Sequence, residues 1–458
     1  MSDAKLLRLA AVTGLTAIAA AAQTGGPIPN PRSGAVRHLT LTEAVHLALS
    51  QNRSLKIARL KVAENEQKKA GERSQYFPTL TNHSNLVHFA ELPDLVSIPG
   101  GALGSAGGGL IPPRNINVAQ GRTTQYSTGT MLAQPLTQLI RVHAANQAAA
   151  AELSGSRDDV KKAENGIALQ VHSLYFGIMI ARLQKQAAEQ QAVYAGERLR
   201  ESEDDVRNGS ALKVAAIEGR AGVLEGEQLL LTAELQLSDL TTELNDLLGL
   251  PLNTQLELDP AVPANFEEHP KDEYVQTAWA ENPEILAAEE TVRKAKAGVA
   301  AAKTAYIPDV TAYARQSYQD GVPLLIRNDG EFGLHLEWTV FDFGKRRAAV
   351  KERQDQLAQA EQNLERLKED LAVQIERSYN KVERTRHMVQ VAQQVVQLRK
   401  ESQRLAGNQL IQGVVLAADE KQANAASYKA EADYLQADLG YLLAWAELEE
   451  AVGRTPGL

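Results

Sequence analysis

The sequence predicts a mainly α-helical protein with a small β part, written twice along the chain. Three observations carry that expectation. Two very long runs, from Pro135 to Pro251 and from Pro323 to Pro456, contain no proline between their ends. The chain matches itself at a fixed offset. Each half is interrupted by a stretch that alternates apolar and polar residues or opens on a proline.

The repeat organises everything else. Shifted by 230 positions, Glu43 falls on Glu273, Ala48 on Ala278, Asn52 on Asn282, Tyr76 on Tyr306 and Pro78 on Pro308. Farther along the shift is 204, and Ala168 falls on Ala372, Tyr175 on Tyr379, Gly209 on Gly413, Leu244 on Leu448 and Gly249 on Gly453. The 26-residue difference between the shifts lies between Tyr76 and Gln134, so the first half carries a longer loop there. Each repeat should therefore run helix, β-hairpin, long helical hairpin. The first spans 23–250, with its β-hairpin at 77–137 and helical hairpin at 141–249. The second spans 273–454, with the corresponding parts at 307–343 and 345–453, and a linker of 251–272 joins the two.

In the helical parts, Val160, Ala163, Ile167, Val171, Leu174 and Ile178 recur at intervals of three or four, as do Leu357, Ala360, Leu364, Leu367, Leu371, Ile375, Tyr379 and Val382. That spacing lays a narrow apolar stripe along one face, the seam of an antiparallel coiled coil rather than a globular core helix. An unbroken helix from Lys345 to Ile411 would be about 100 Å long. Asn208-Gly209 and Gln412-Gly413 end the two rods with a glycine able to take a left-handed cap, and a second helix follows at once. Hairpin tips are thus expected near 207–213 and 411–417.

Four strands are expected. Phe332, Leu334, Leu336, Trp338 and Val340 alternate with Gly333, His335, Glu337, Thr339 and Phe341. Val310 to Tyr318, 77–90 and 122–137 alternate less clearly, as membrane-barrel strands often do. Pro78 and Pro308 stop the incoming helices and force the next residues to extend. The glycine-rich stretch from Pro93 to Gln120 and the shorter one from Asp320 to Gly330 read as loops.

Composition excludes several functions. The chain has 458 residues, no cysteine and a net charge of −9, which removes disulfides and thiolate sites and argues against nucleic acid. Its histidines never form the His-Glu-x-x-His pattern of a helical zinc site, and the glycine run at 100–109 lacks the Gly-Lys-Ser/Thr of a phosphate loop. No enzyme, metal or cofactor is expected. Lys5 and Arg8 followed by an alanine-rich apolar stretch resemble a secretory signal over residues 1–22. No later stretch has about 18 consecutive apolar residues, so a membrane segment must be a β-barrel. Four strands cannot close one, because known barrels need about eight or more and open edges would strand amides in lipid. Identical copies must pool their strands, most simply around a cyclic axis.

Tyr76-Phe77-Pro78 and Tyr306-Ile307-Pro308 resemble the helix-to-strand passage of TolC-type outer-membrane efflux and secretion channels. Val340-Phe341-Asp342-Phe343-Gly344-Lys345-Arg346 resembles their strand-to-helix return, with Asp342 and Gly344 at the transition. The resemblance covers about 38–454 and implies a homotrimer with a twelve-stranded β-barrel in the outer membrane and an α-barrel crossing the periplasm. It places the linker 251–272 in the equatorial region. It implies a passive exit duct, served by an inner-membrane transporter and a periplasmic adaptor that docks on the tips, at Asn208, Gly209, Ser210, Gln412, Gly413 and Val414. The family's second tip carries glycine, then aspartate six residues on, then a second acid after three more. Gly413 and Asp419 fit, whereas the third place is Gln422, so a weakened acidic ring at the periplasmic aperture is implied. Asp419 alternatively serves only the N-terminal end of its helix. The competing reading of the whole chain is a soluble periplasmic coiled-coil scaffold.

Overall fold

The computed structural model describes residues 36–92, 94–119, 121–260, 268–322 and 325–456, so the signal expected at 1–22 lies outside the described residues. The first repeat opens with a short strand β1 (Val36–Leu39) and two helices, α1 (Leu41–Gln51) and α2 (Arg53–Ser74). Next come β2 (Thr79–His88), the small strands β3 (Asp94–Ile98), β4 (Ser105–Ala106), β5 (Gly109–Leu110) and β6 (Ile116–Ala119), then β7 (Thr124–Pro135). Two rods follow, α3 (Leu139–Arg207) and α4 (Lys213–Leu247). After β8 (Gln255–Leu258), the second repeat runs α5 (Lys271–Glu281), α6 (Pro283–Lys303), β9 (Asp309–Asp320), β10 (Asn328–Glu337), α7 (Lys345–Ile411) and α8 (Ala417–Val452).

Several details depart from the sequence reading. The opening helix of each half is two helices, broken at Asn52 and Asn282. Each asparagine is the N-cap of the second helix, its Oδ1 accepting from Leu55 N–H or Glu284 N–H. The loop from Pro93 to Gln120 contains two nested antiparallel ribbons, β3–β6 and β4–β5. The stretch 251–272, read as a linker, holds β8, which pairs in parallel with β1. The Tyr175 hydroxyl sits 2.9 Å from the Leu39 carbonyl and 2.8 Å from that of Asp259, donating to one at a time and so fastening this pair to α3. Burial pushes the Tyr175 pKa up to about 12, which keeps it a donor.

Two small cores mark the two repeats, and their residues obey the same shifts. Ala48, Leu55, Val171, Leu244 and Leu248 are buried in one, and Ala278, Ile285, Ile375, Leu448 and Val452 in the other. One stretch of α3 is long and apolar enough by composition to cross a membrane, yet its Val171, Tyr175 and Ile178 are fully buried in the first core. The rods leave these cores in both directions. Toward the strands α3 packs on α2 and α6, and α6 on α7; toward the tips α3 packs on α4 and α8, and α8 on α7. The 67 residues of α7 span about 100 Å. At the other end β10, β9, β7 and β2 form one antiparallel sheet in that order, leaving β2 and β10 as free edges.

Candidate channel wall, gate and docking tips

The sheet has two unlike faces. Directly paired residues share a face, so Leu80, Leu132, Ala314 and Phe332 lie together, flanked by Leu334, Leu336, Val310, Tyr126 and Tyr318. Phe332 is 89% exposed, although nothing in water favours such exposure. The opposite face carries Arg315, Glu331, Asp329, His83, Gln319 and His335. An apolar outside and a charged inside suit a barrel with a wet lumen. Polar residues in the middle of the apolar face bond to one another: Asn82 Nδ2 donates to Thr130 Oγ1 at 2.8 Å, and the hydroxyls of Ser84 and Thr128 meet at 2.8 Å. Mutual bonding lowers the cost of placing them against lipid.

The two transition motifs of the second repeat meet each other. Asp342 accepts from the N–H groups of Gly344 and Arg346, both at 3.1 Å, and from Arg346 Nε at 2.7 Å. Desolvation would raise its pKa, but these bonds outweigh it and hold the carboxyl below its ordinary value. Gly344 has φ 94°, a left-handed turn that starts α7, and Phe343 before it has φ 53°. The Arg346 guanidinium also lies over the Tyr306 ring, 5.3 Å from its centre. The passages into and out of the sheet are therefore clamped by one arginine, which the sequence reading did not single out. Pro78 lies exposed between α2 and β2. The Pro308 carbonyl accepts from the Thr137 hydroxyl at 2.8 Å, tying the two repeats at the junction.

The tips are two copies of one turn. Asn208 ends α3, Gly209 has φ 77°, and the N–H of Ser210 reaches the Asp205 carbonyl at 2.9 Å. Gln412 ends α7, Gly413 has φ 71°, and the N–H of Val414 reaches the Gln409 carbonyl at 2.9 Å. Both are Schellman motifs. The structure puts three polar and three small or apolar predicted residues at matching places, but the bulk of each tip comes from residues the sequence reading passed over. Leu212, 80% exposed, and Ile411, 86% exposed, stand out with Val214, Ile217 and Leu416, beside the predicted Val414. The signal was present, since Leu212 and Leu416 are repeat partners.

Asp419 and Gln422 are both exposed, three residues apart in the first turns of α8. Asp419 Oδ2 accepts from the Leu416 N–H at 3.2 Å, so it does serve the helix end. Leu416 has no oxygen to return the bond, leaving half a capping box. Another carboxylate, Glu201 on α3, accepts from the Ala418 N–H at 2.8 Å and fastens the second hairpin to the first. Among the described residues no group of histidines and carboxylates could hold a metal ion.

The sequence model of the outer membrane efflux protein family matches residues 44–250 and again 274–454. The chain belongs to the outer membrane efflux protein family. No curated protein matches it. Its fold is similar to that of the outer membrane channel CmeC of Campylobacter jejuni, at 16% identity and TM-score 0.73, over 90% of this chain and 85% of that one. It is also similar to the outer membrane protein VceC of Vibrio cholerae, at 15% identity and TM-score 0.71, covering 90% and 96%. For the open state of the MtrE outer membrane channel of Neisseria gonorrhoeae the values are 19%, 0.65, 91% and 89%. This family member is thus an outer-membrane channel subunit with a helical tunnel directed into the periplasm, and not an enzyme. Nothing remains to favour a soluble scaffold.

Proposed function

We propose that three copies of this chain close into a twelve-stranded barrel continued by a helical tunnel, the passive exit duct of an efflux or secretion machine. One observation carries the reading: the chain is open at both ends in the geometry of its own internal junction. Inside the chain, repeat one meets repeat two through α3 with α6, α3 with α8, and β7 with β9. Applying the repeat shifts turns these into α7 with α2, α7 with α4, and β10 with β2 of a partner subunit.

The residues agree. Ala418, Ala425, Ala432 and Leu439 on α8 are seven apart and buried. Their counterparts Val214, Ala221, Gln228 and Leu235 on α4 are all exposed, as are Met388, Val391, Val395 and Leu398 on α7. The contact of Glu201 with Ala418 becomes one of Leu405 with Val214 of the partner subunit. The register of β7 on β9 becomes Val340 opposite Leu80 of the partner subunit. The alternation in sequence runs on to Phe341, yet β10 stops at Glu337, where its partner β9 begins at Asp309. The equivalent residues at the end of β7, Gln134 and Pro135, remain strand because β9 lies beside them. The missing turns of β10 await a neighbour.

The apolar tips support docking of a periplasmic adaptor around Asn208–Ser210 and Gln412–Val414, with an inner-membrane transporter supplying the energy. Three copies of Asp419 would ring the aperture, with Gln422 leaving that ring weaker than a doubly acidic one. Because the chain has no cysteine, Leu405→Cys with Val214→Cys gives a clean test. Oxidation should convert the monomer to covalently linked trimer in outer membranes. Monomer that stays folded, channel-forming and unlinked would end the proposal.

A further inference from the structure

The loop joining β2 to β7 contains a surface the duct does not explain. From Leu95 to Gly121 only Arg114 carries a charge, whereas 23% of the whole chain is charged. A loop that merely faces water has no reason to shed charge in this way. The register of its ribbon sorts the side chains: Val96 opposes Val118 and Ile98 opposes Ile116, all on one face. Ser97 opposes Asn117 on the other, and the Ser97 hydroxyl donates to Asn117 Oδ1 at 2.8 Å. The ribbon is amphipathic. Beyond it Leu103, Leu110 and Ile111 extend the apolar surface, all exposed. An isolated two-stranded ribbon is marginal in water, so a face of this kind needs a cover.

Resting on the trimeric reading above, we propose that the cover is the same ribbon of the two partner subunits, the three apolar faces meeting on the threefold axis as a lid over the outer mouth. The loop springs from β2, the edge strand that the partner's β10 would join, so three loops rise at equal spacing around the rim. Twelve strands about 4.8 Å apart, tilted by about 40°, enclose a ring of about 12 Å radius. The five residues of β3 alone reach about 17 Å. The ribbon therefore spans from rim to axis. The other outer loop, 321–327, is too short to share the task, and the mouth stays open unless the long loop closes it. Ser97 and Asn117 then face the medium. The 26 extra residues of the first repeat find a use, since one lid strand pair per subunit suffices.

Single cysteines decide it. On oxidation of intact cells, Val96→Cys and Val118→Cys should each give a covalent dimer, because only two of three thiols on an axis can pair; Ser97→Cys should give none. Replacing 94–119 by a three-residue glycine-serine turn should raise single-channel conductance at least about two-fold. The Leu405→Cys/Val214→Cys pair is the control for assembly. If that pair links while Val96→Cys and Val118→Cys stay unlinked, or Ser97→Cys links as well as they do, the ribbons lie elsewhere and the lid is overturned with the trimer intact. Unchanged conductance after the replacement overturns it equally. Loss of the control link overturns the trimer itself.

Discussion

Gly453 shows how little freedom a single position keeps. Its φ is 104°, and a Cβ built there would lie 2.6 Å from Asn282 Cα. Both a left-handed backbone and a closed space therefore demand glycine. Gly453→Ala should cost about 3 kcal/mol or more, read as a fall in the thermal midpoint of the detergent-purified protein. A Cβ on its repeat partner Gly249, with φ 68°, would meet the Gln51 side chain, 3.1 Å from its Oε1 and 3.3 Å from its Cβ, and no backbone, so Gly249→Ala should cost less. His172 is a different case. It is buried among apolar residues, hydrogen-bonded to the Pro456 carbonyl, with its Nε2 lacking a partner. Burial pushes its pKa down to about 4 from 6.5. The unfolded chain then binds the proton that the fold refuses, so stability is complete above about pH 6.5 and falls as the pH drops toward 4, by up to about 3 kcal/mol. His172→Phe should flatten that slope in urea unfolding measured across the interval; an unchanged slope would show that other groups cause it. Neither residue was visible as special from sequence beyond Gly453's place in the repeat, because a clash and a burial are both facts about distant neighbours.

At the scale of elements, periodicity was most of the answer for the rods and only part of it for the strands. The ends of α7 at Lys345 and Ile411 were readable because Gly344 and Gly413 take left-handed turns that glycine alone adopts easily. The strand β8 was not, since its pairing with β1 joins residues far apart and its alternation covers only Gln255–Leu258. The loop ribbons were hidden for a similar reason: glycine-rich sequence declares a turn but not which residues pair across it. The tips gave up Gly209, Gly413 and Asp419, whereas Glu201, which holds the start of α8 from another rod, carried no local mark. This sets up a test of the aperture. Asp419→Asn keeps an oxygen for the Leu416 N–H and removes only charge. Helix capping is thereby preserved. In bilayers with a salt gradient, the cation-over-anion permeability ratio should fall about two-fold or more, and Gln422→Glu should raise it. Equal ratios for Asp419→Asn and the parent would leave Asp419 a cap and nothing else.

In the proposed trimer the repeat leaves its last contact to a neighbour, and that accounts for β10 ending short of the alternation in its sequence. The sequence runs apolar-polar through Phe341, but the fold ends β10 at Glu337. Strand status depends on a partner as well as on pattern, and a lone chain offers none past Asp309. The internal junction supplies the missing bond: the Leu136 N–H donates to the Val310 carbonyl at 2.8 Å. Carried through the two shifts, the proposed trimer would make this the Val340 N–H donating to the Leu80 carbonyl of the partner subunit. Hydrogen exchange reads such a bond directly, since an amide in a ladder opens only with its unit. In the assembled channel the Val340 amide should exchange as slowly as those of β7 and β9. After dissociation to monomer in denaturing detergent it should speed up before the β7–β9 pairs do. Exchange at the rate of an exposed loop in the assembled channel would mean that β10 really does end at Glu337. The barrel would then have to close in some register other than the one its own repeat prescribes.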